Sequence, residues 1–187
     1  MTKEKKQDYE IIDNYLPQWQ FNQIAQRFLS SGTQWMYMDS INYNPVEEDG
    51  KLFQFAHPLY QIQADGGNLS QTGPSSPYLQ TLEPLLKKMQ GHFLVRAKAN
   101  LVTRTSENVK QGPFHHDLDT LPLELLKGGF KTSIFYINTT NGWTEFEDGT
   151  KIECVENRLL TFPAWKQHVG YSQTDEKVRI LINFNYA

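Results

Sequence analysis

The sequence predicts an α+β, mainly β fold: a double-stranded β-helix (jelly roll) with helices packed on one outer face. Two observations predict it. Apolar residues recur at helical spacing only in the first half, and from residue 93 onward they alternate with polar ones; helices followed by a run of strands is an α+β order. Aromatic residues make up 13% of the chain, which suits strands packed face to face. The 187 residues fit a single domain, 1–187. Within it about 9–92 form helical and loop support, and about 93–187 form the jelly-roll core.

In chain order, residues 1–8 read as a frayed end and Tyr9 to Leu16 as a short strand and turn. Phe21, Ile24, Ala25, Phe28 and Leu29 then mark an amphipathic helix over 17–31. Residues 38–75 are rich in Asn, Gln, Gly, Pro and Tyr and read as a long irregular segment, a length usually reserved for function. Ser76-Pro77 offers an N-cap and first-turn pair. Leu79, Leu82, Leu85, Leu86 and Met89 continue a helical stripe in which Pro84 demands a kink or a late start. Val95, Ala97, Ala99 and Leu101 then alternate with Arg96, Lys98 and Asn100, a strand pattern. Thr132 to Asn138 is β-branched and aromatic, so it reads as another strand. Asp148-Gly149, between Trp143–Phe146 and Lys151–Val155, signals a hairpin. Leu159 to Phe162 is a strand stopped by Pro163, and Val178 to Tyr186 is the last strand.

Bulk properties exclude some partners. A net charge of −3 and a pI near 5.9 give no basic excess, so no nucleic-acid partner is called for. No apolar run approaches the roughly 20 residues that span a bilayer, so no membrane partner is expected. Met1 to Glu10 is polar and lacks a signal-peptide core, and Cys154 stands alone, so a reducing, cytoplasmic setting is expected. Cys154 lies in a strand-like run and reads as core filler.

The chemistry concentrates in four positions. His115 and Asp117 are two apart, so on extended backbone both side chains reach the same side while His116 points away. The competing pair, His116 with Asp119, is three apart and needs a helix or a tight turn. His168 follows 53 residues on, just past the Phe162-Pro163 strand end, where a hairpin intervenes and returns the chain. Two imidazoles and a carboxylate form the facial triad of non-heme Fe(II) sites, with open positions left over. An isolated His-x-Asp is usually a solvated loop; the combination with a hairpin interval, a later His and an Arg is what lifts this one. His57 and His92 have no such partners and read as ordinary.

Arg179 is the fourth position. On the last strand Arg179, Leu181, Asn183 and Asn185 share one face, and Ile180, Ile182, Phe184 and Tyr186 share the other. The apolar face belongs under the helices, which turns Arg179 into the barrel. A buried guanidinium needs an anion, and no Asp or Glu occupies a matching inward position. A dicarboxylate co-substrate would meet that need, since Arg suits bidentate carboxylate capture. A structural ion pair, or the reverse assignment of the faces, is the competing reading.

Taken together, the run from Gly112 to Asp117, Phe135 to Asn138, Phe146 to Gly149, Phe162-Pro163, His168 and Arg179 to Phe184 resembles 2-oxoglutarate/Fe(II)-dependent dioxygenases. The branch it resembles is the prolyl-4-hydroxylase-like one of bacteria and phages, and the likeness is good over about 93–187. The resemblance implies that His115, Asp117 and His168 hold Fe(II) and that Arg179 takes the distal carboxylate of 2-oxoglutarate. It implies helper roles in that pocket for Tyr136 and Asn183, and hydroxylation of a C–H bond as the reaction. Two departures stand out. Some branches carry Ser or Thr shortly after the Arg, where this chain has Ile180, Leu181 and Asn183; some carry a Tyr on the strand before His-x-Asp, where it has Asn100, Arg104 and Thr105.

Substrate classes open to such a site are a peptidyl proline or other protein side chain, or a small metabolite. Tyr43, Tyr60, Gln61, Asp119 and Lys127, in segments 38–75 and 104–128, are the residues expected to read it. The alternatives are a jelly-roll metalloenzyme that does not use 2-oxoglutarate, and a non-catalytic jelly-roll binding module.

Overall fold

The computed structural model describes residues 7–39, 53–65, 68–71, 76–91, 93–118 and 121–187. Its strands are β1 (Glu10–Ile12), β2 (Met36–Met38), β3 (Gln54–Asp65), β4 (Asn68–Gln71), β5 (Leu94–Thr103), β6 (Lys131–Tyr136), β7 (Thr140–Phe146), β8 (Lys151–Cys154), β9 (Leu159–Pro163), β10 (His168–Gly170) and β11 (Val178–Tyr186). Its helices are α1 (Gln18–Leu29), α2 (Tyr78–Thr81), α3 (Glu83–Met89) and α4 (Leu123–Leu126). No described helix is long and apolar enough to cross a membrane.

The strands form two antiparallel sheets. The major sheet runs β1-β9-β6-β11-β5-β3-β2, with β4 paired to β3, and the minor sheet runs β10-β7-β8. Isolated bridges pair Lys110 with Tyr171 and His115 with His168, which lays segment 110–115 along the free edge of β10. From β5 onward the chain therefore shuttles between the sheets, as a jelly roll does. The hairpin between β7 and β8 turns at Gly149, whose φ of 82° favours glycine. Asp148 Oδ1 accepts from the Thr150 N–H to close that turn.

The two faces of β11 divide as their alternation requires. Ile180, Ile182, Phe184 and Tyr186 are buried in one core with Phe21, Ile24 and Phe28 of α1 and Leu85 of α3. Each such side chain contributes about 1.5–3 kcal/mol by leaving water. Phe184 is 0% exposed at the centre of this layer. Phe184→Ala is expected to destabilise the fold by about 3–5 kcal/mol, read as a fall in the urea midpoint. The helical stripe after Ser76 splits at Leu82, and Pro84 lies in the first turn of α3. Pro84 thus starts a helix, where its missing N–H costs nothing. Ser76 Oγ accepts from the Tyr78 N–H, as an N-cap does.

One expectation is corrected here. Segment 38–75 contains β3 and β4, and β3 joins the major sheet against β5. The first half therefore supplies strands to the barrel as well as helices. Pro58 disguises β3 in the sequence. It is tolerated because the register shifts between Pro58 and Tyr60, and because β2 pairs only with 54–56 and β4 only with 62–65. On that edge no described strand needs the N–H that proline lacks.

Candidate metal centre

Three side chains converge between the two sheets. Ligand atoms of His115, Asp117 and His168 all lie within 4.8 Å of one another. The backbone explains why. His115 and His168 are directly paired, and each N–H donates to the other's carbonyl at 3.1 Å. Their rings sit 4.9 Å apart. Asp117 follows at the start of a turn, and Arg96 Nη1 holds its carbonyl oxygen at 2.7 Å. His115 Nδ1 donates to the Pro113 carbonyl at 3.1 Å, which fixes the tautomer and leaves Nε2 as a lone-pair donor. His116 points elsewhere, with its Nε2 at 2.8 Å from the Trp165 carbonyl. Asp119 lies outside the described residues, as do Tyr43 and His92.

The Asp117 carboxylate is held by two amides. Asn183 Nδ2 donates to both of its oxygens at 3.3 Å, and Asn185 Nδ2 donates to Oδ2 at 3.2 Å. Burial alone would raise the carboxyl pKa, but His168, Arg96, His115 and the Asn185 bond together hold it well below the ordinary range. Burial pushes His168 down to about 4, against the pull of the Asp117 charge. Both groups therefore sit in their metal-ligating protonation states at neutral pH.

The low His168 value has a sign for stability. An unfolded chain binds a proton on this histidine below its ordinary 6.5, and the folded metal-free chain refuses it until about 4. Metal-free protein is therefore expected to lose stability as pH falls from 6.5 toward 4, the window set by those two values. Urea midpoints across that window, compared with those of His168→Gln, check it; the variant should lose less.

Asn185 also donates to Thr132 Oγ1 at 3.0 Å, so its amide is fixed from both sides. Asn185→Ala is expected to weaken metal binding about 10–100-fold while the chain stays folded, measured by competition against a metal-binding dye.

A cavity opens beside the triad. Its lining includes His115, Asp117 and His168, with Lys98, Asn100 and Val102 of β5 and Arg179, Leu181 and Asn183 of β11. Cross-strand register orders it from end to end. Asn183 faces Lys98, Leu181 faces Asn100, and Arg179 faces Val102. The three candidate ligands thus lie at the Asn183 level, and Arg179 lies two cavity-facing pairs further in. Arg179 is 1% exposed, its Nε has no hydrogen-bond partner, and no ion pair reaches it among the described residues. Among the described residues, its one side-chain hydrogen bond runs from Nη2 to Thr144 Oγ1 at 3.3 Å. Two glycines of the minor sheet make room for it. A Cβ on Gly142 would meet Arg179 Cδ at 3.0 Å, and one on Gly170 would meet Nη1 at 3.4 Å.

The structure thus brings His115, Asp117, His168, Arg179 and Asn183 to one cavity. Tyr136 stands behind it. Its hydroxyl donates to Thr144 Oγ1 at 2.9 Å, and its ring lies 5.9 Å from the Arg179 guanidinium carbon. Tyr60 packs against the helix-side core, Gln61 is exposed, and Lys127 pairs with Glu124; none of the three lines the cavity. The residues that sequence reasoning passed over are Arg96, Lys98, Thr144 and Asn185. Arg96, Lys98 and Asn185 carried a legible signal, since each lies on the polar side of an alternating strand.

No protein-family model matches this chain, and no curated protein matches it. Solved structures do share its fold. An oxidoreductase of the 2OG-Fe(II) oxygenase family from Burkholderia pseudomallei aligns with a TM-score of 0.65 and 9% identity, over 96% of this chain and 85% of that one. The non-heme alpha ketoglutarate dependent epimerase SnoN from nogalamycin biosynthesis aligns at 0.62 and 12%, over 98% and 78%. A viral collagen prolyl hydroxylase from Paramecium bursaria Chlorella virus-1, in complex with 2OG, aligns at 0.53 and 12%, over 96% and 95%. The chain therefore has the fold of 2-oxoglutarate/Fe(II) oxygenases.

Proposed function

We propose that this chain is a 2-oxoglutarate- and Fe(II)-dependent oxygenase that hydroxylates a C–H bond of its substrate. One observation carries the reading. Three atoms able to ligate a metal and a buried guanidinium without an anionic partner among the described residues share a single cavity. His115, Asp117 and His168 would hold Fe(II), and Arg179 would take the distal carboxylate of 2-oxoglutarate. When bound, the pair supplies O2-dependent oxidative decarboxylation, with one oxygen atom ending in succinate and the other in the substrate hydroxyl.

The chain's own residues prepare this. Two Asn amides and the Arg96 guanidinium orient the Asp117 side chain and backbone before any metal arrives. Thr144 Oγ1 already accepts from Tyr136 and Arg179. A hydroxyl has two acceptor sites and one proton, so that proton is left to donate to an anion beside Arg179. Thr144 thus supplies a hydroxyl beside the guanidinium, and Tyr136 positions it. Val102, Ile134 and Leu181 give the cavity apolar walls that exclude water from the reacting centre.

The test is spectroscopic. Anaerobic Fe(II) and 2-oxoglutarate should give a visible metal-to-ligand absorption band. Folded protein without that band would rule the reading out.

A further inference from the structure

The cavity holds one cation more than the proposed co-substrate accounts for. Lys98 lines it, half-buried, on the same face of β5 as Asn100 and Val102. No hydrogen bond or ion pair reaches its ammonium among the described residues, whereas Lys87, Lys127, Lys151 and Lys166 each have a carboxylate partner. Asp117 is the one carboxylate among the described lining residues, and it is committed to the triad.

Position separates Lys98 from Arg179. Lys98 faces Asn183, the level of the metal ligands, and Arg179 faces Val102 two pairs further in. Arg179 is closed off from solvent, and Lys98 is partly open to it. An anion that enters after the deep end is filled meets Lys98 next to the metal. Charge leads the same way. Among the lining groups, Fe(II), Arg179 and Lys98 would carry four positive charges against one on Asp117; dianionic 2-oxoglutarate leaves an excess of one, to which Arg96 at the Asp117 carbonyl adds. An excess charge in a partly dry cavity draws a counter-charge. Asn100, one pair inward, has an amide oxygen without a partner, which accepts from an N–H of the same substrate rather than from its carboxylate.

We infer that Lys98 is a specificity-determining residue that binds a carboxylate of the substrate beside the metal. This rests on the oxygenase reading above. The substrate class is then a carboxylic acid, and the carboxylate comes either from a free amino acid or from an Asp or Glu side chain in a peptide.

The experiment uses whole protein loaded anaerobically with Fe(II) and 2-oxoglutarate, and proceeds only once the absorption band is seen, so failure of the oxygenase reading shows first. Three probe sets are titrated by calorimetry and then assayed for succinate release in air. They are the twenty L-amino acids as free acids, the same set as α-carboxamides, and the amides of acetyl-Gly-Asp-Gly and acetyl-Gly-Glu-Gly with their matched Asn and Gln peptides. The expected result is binding and stimulation by a free acid, or by the acidic peptides, at least tenfold tighter than by the matched amide. Lys98→Met should erase that acid-over-amide preference. Stimulation by carboxamides equal to that by acids, or no binding of any carboxylate probe, overturns the inference. So does a Lys98→Met protein that keeps the preference but binds 2-oxoglutarate more weakly, since Lys98 would then serve the co-substrate.

Discussion

Replacing Asp117 with Asn is expected to reduce Fe(II) binding and succinate release to background while the chain stays folded. The substitution keeps the shape of the side chain and removes its charge. That charge is what the surroundings are built to keep: Asn183 and Asn185 donate to its oxygens, and two histidines and Arg96 hold its proton off. An amide at this position would present N–H groups to those donors and offer the metal a neutral oxygen at best. In a two-His, one-carboxylate set the carboxylate is the single anionic ligand, and Fe(II) affinity relies on it. Loss of the absorption band alongside an unchanged far-ultraviolet dichroism spectrum is the measurement. Retention of tight Fe(II) binding would show that the metal is held elsewhere.

Arg179→Met should divide two properties that usually move together. Co-substrate affinity is expected to fall by about 2–5 kcal/mol, roughly 30- to 4,000-fold, because truncating one partner of a buried charge pair leaves the other stranded. The ligand-free protein is expected to be no less stable, because Arg179 is 1% exposed with an unpartnered Nε, and Met replaces an uncompensated charge with an apolar chain of similar length. Thermal unfolding with and without 2-oxoglutarate reads both at once. A jelly-roll metalloenzyme that does not use 2-oxoglutarate would show neither the loss of affinity nor any dependence on the co-substrate.

How much of this was legible depended on strand regularity. β11 keeps an unbroken register against β5 from Val178 to Asn185, so its helix-side and cavity-side faces could be assigned from parity alone. The same rule chose His115 and Asp117, and the structure brings their ligand atoms together with those of His168. β3 was hidden because its alternation is broken at Pro58 and because polar residues occupy its packed face. His57 is an example. It stacks on Tyr78 at 4.8 Å, with its nitrogens at 2.7 Å from the Gln34 carbonyl and 2.6 Å from Ser76 Oγ. A histidine so satisfied packs into a core yet reads as a loop residue. Tyr136 and Asn183 were placed near the co-substrate by resemblance. Their actual partners, Thr144 and Asp117, follow from side-chain directions set by two sheets at once, which spacing along one strand does not encode. Asn185 reaches Asp117 across 68 positions of sequence, so only the closed barrel reveals it.

The reciprocal pairing of His115 with His168 has a consequence for how the protein comes together. These two residues are 53 positions apart, with α4 and β6 through β9 between them, so their pairing closes a long stretch of chain. Contacts of such separation form late and make folding slow, because chain closure precedes any gain from them. A complete ligand set thus exists only in the fully closed molecule. On the proposed reading, a bound metal would stabilise that state alone by mass action, growing with the logarithm of its concentration above the dissociation constant. Iron supply and the lifetime of the folded chain would then be tied to each other, and on that reading protein made without iron is expected to be cleared by proteases sooner than protein made with it.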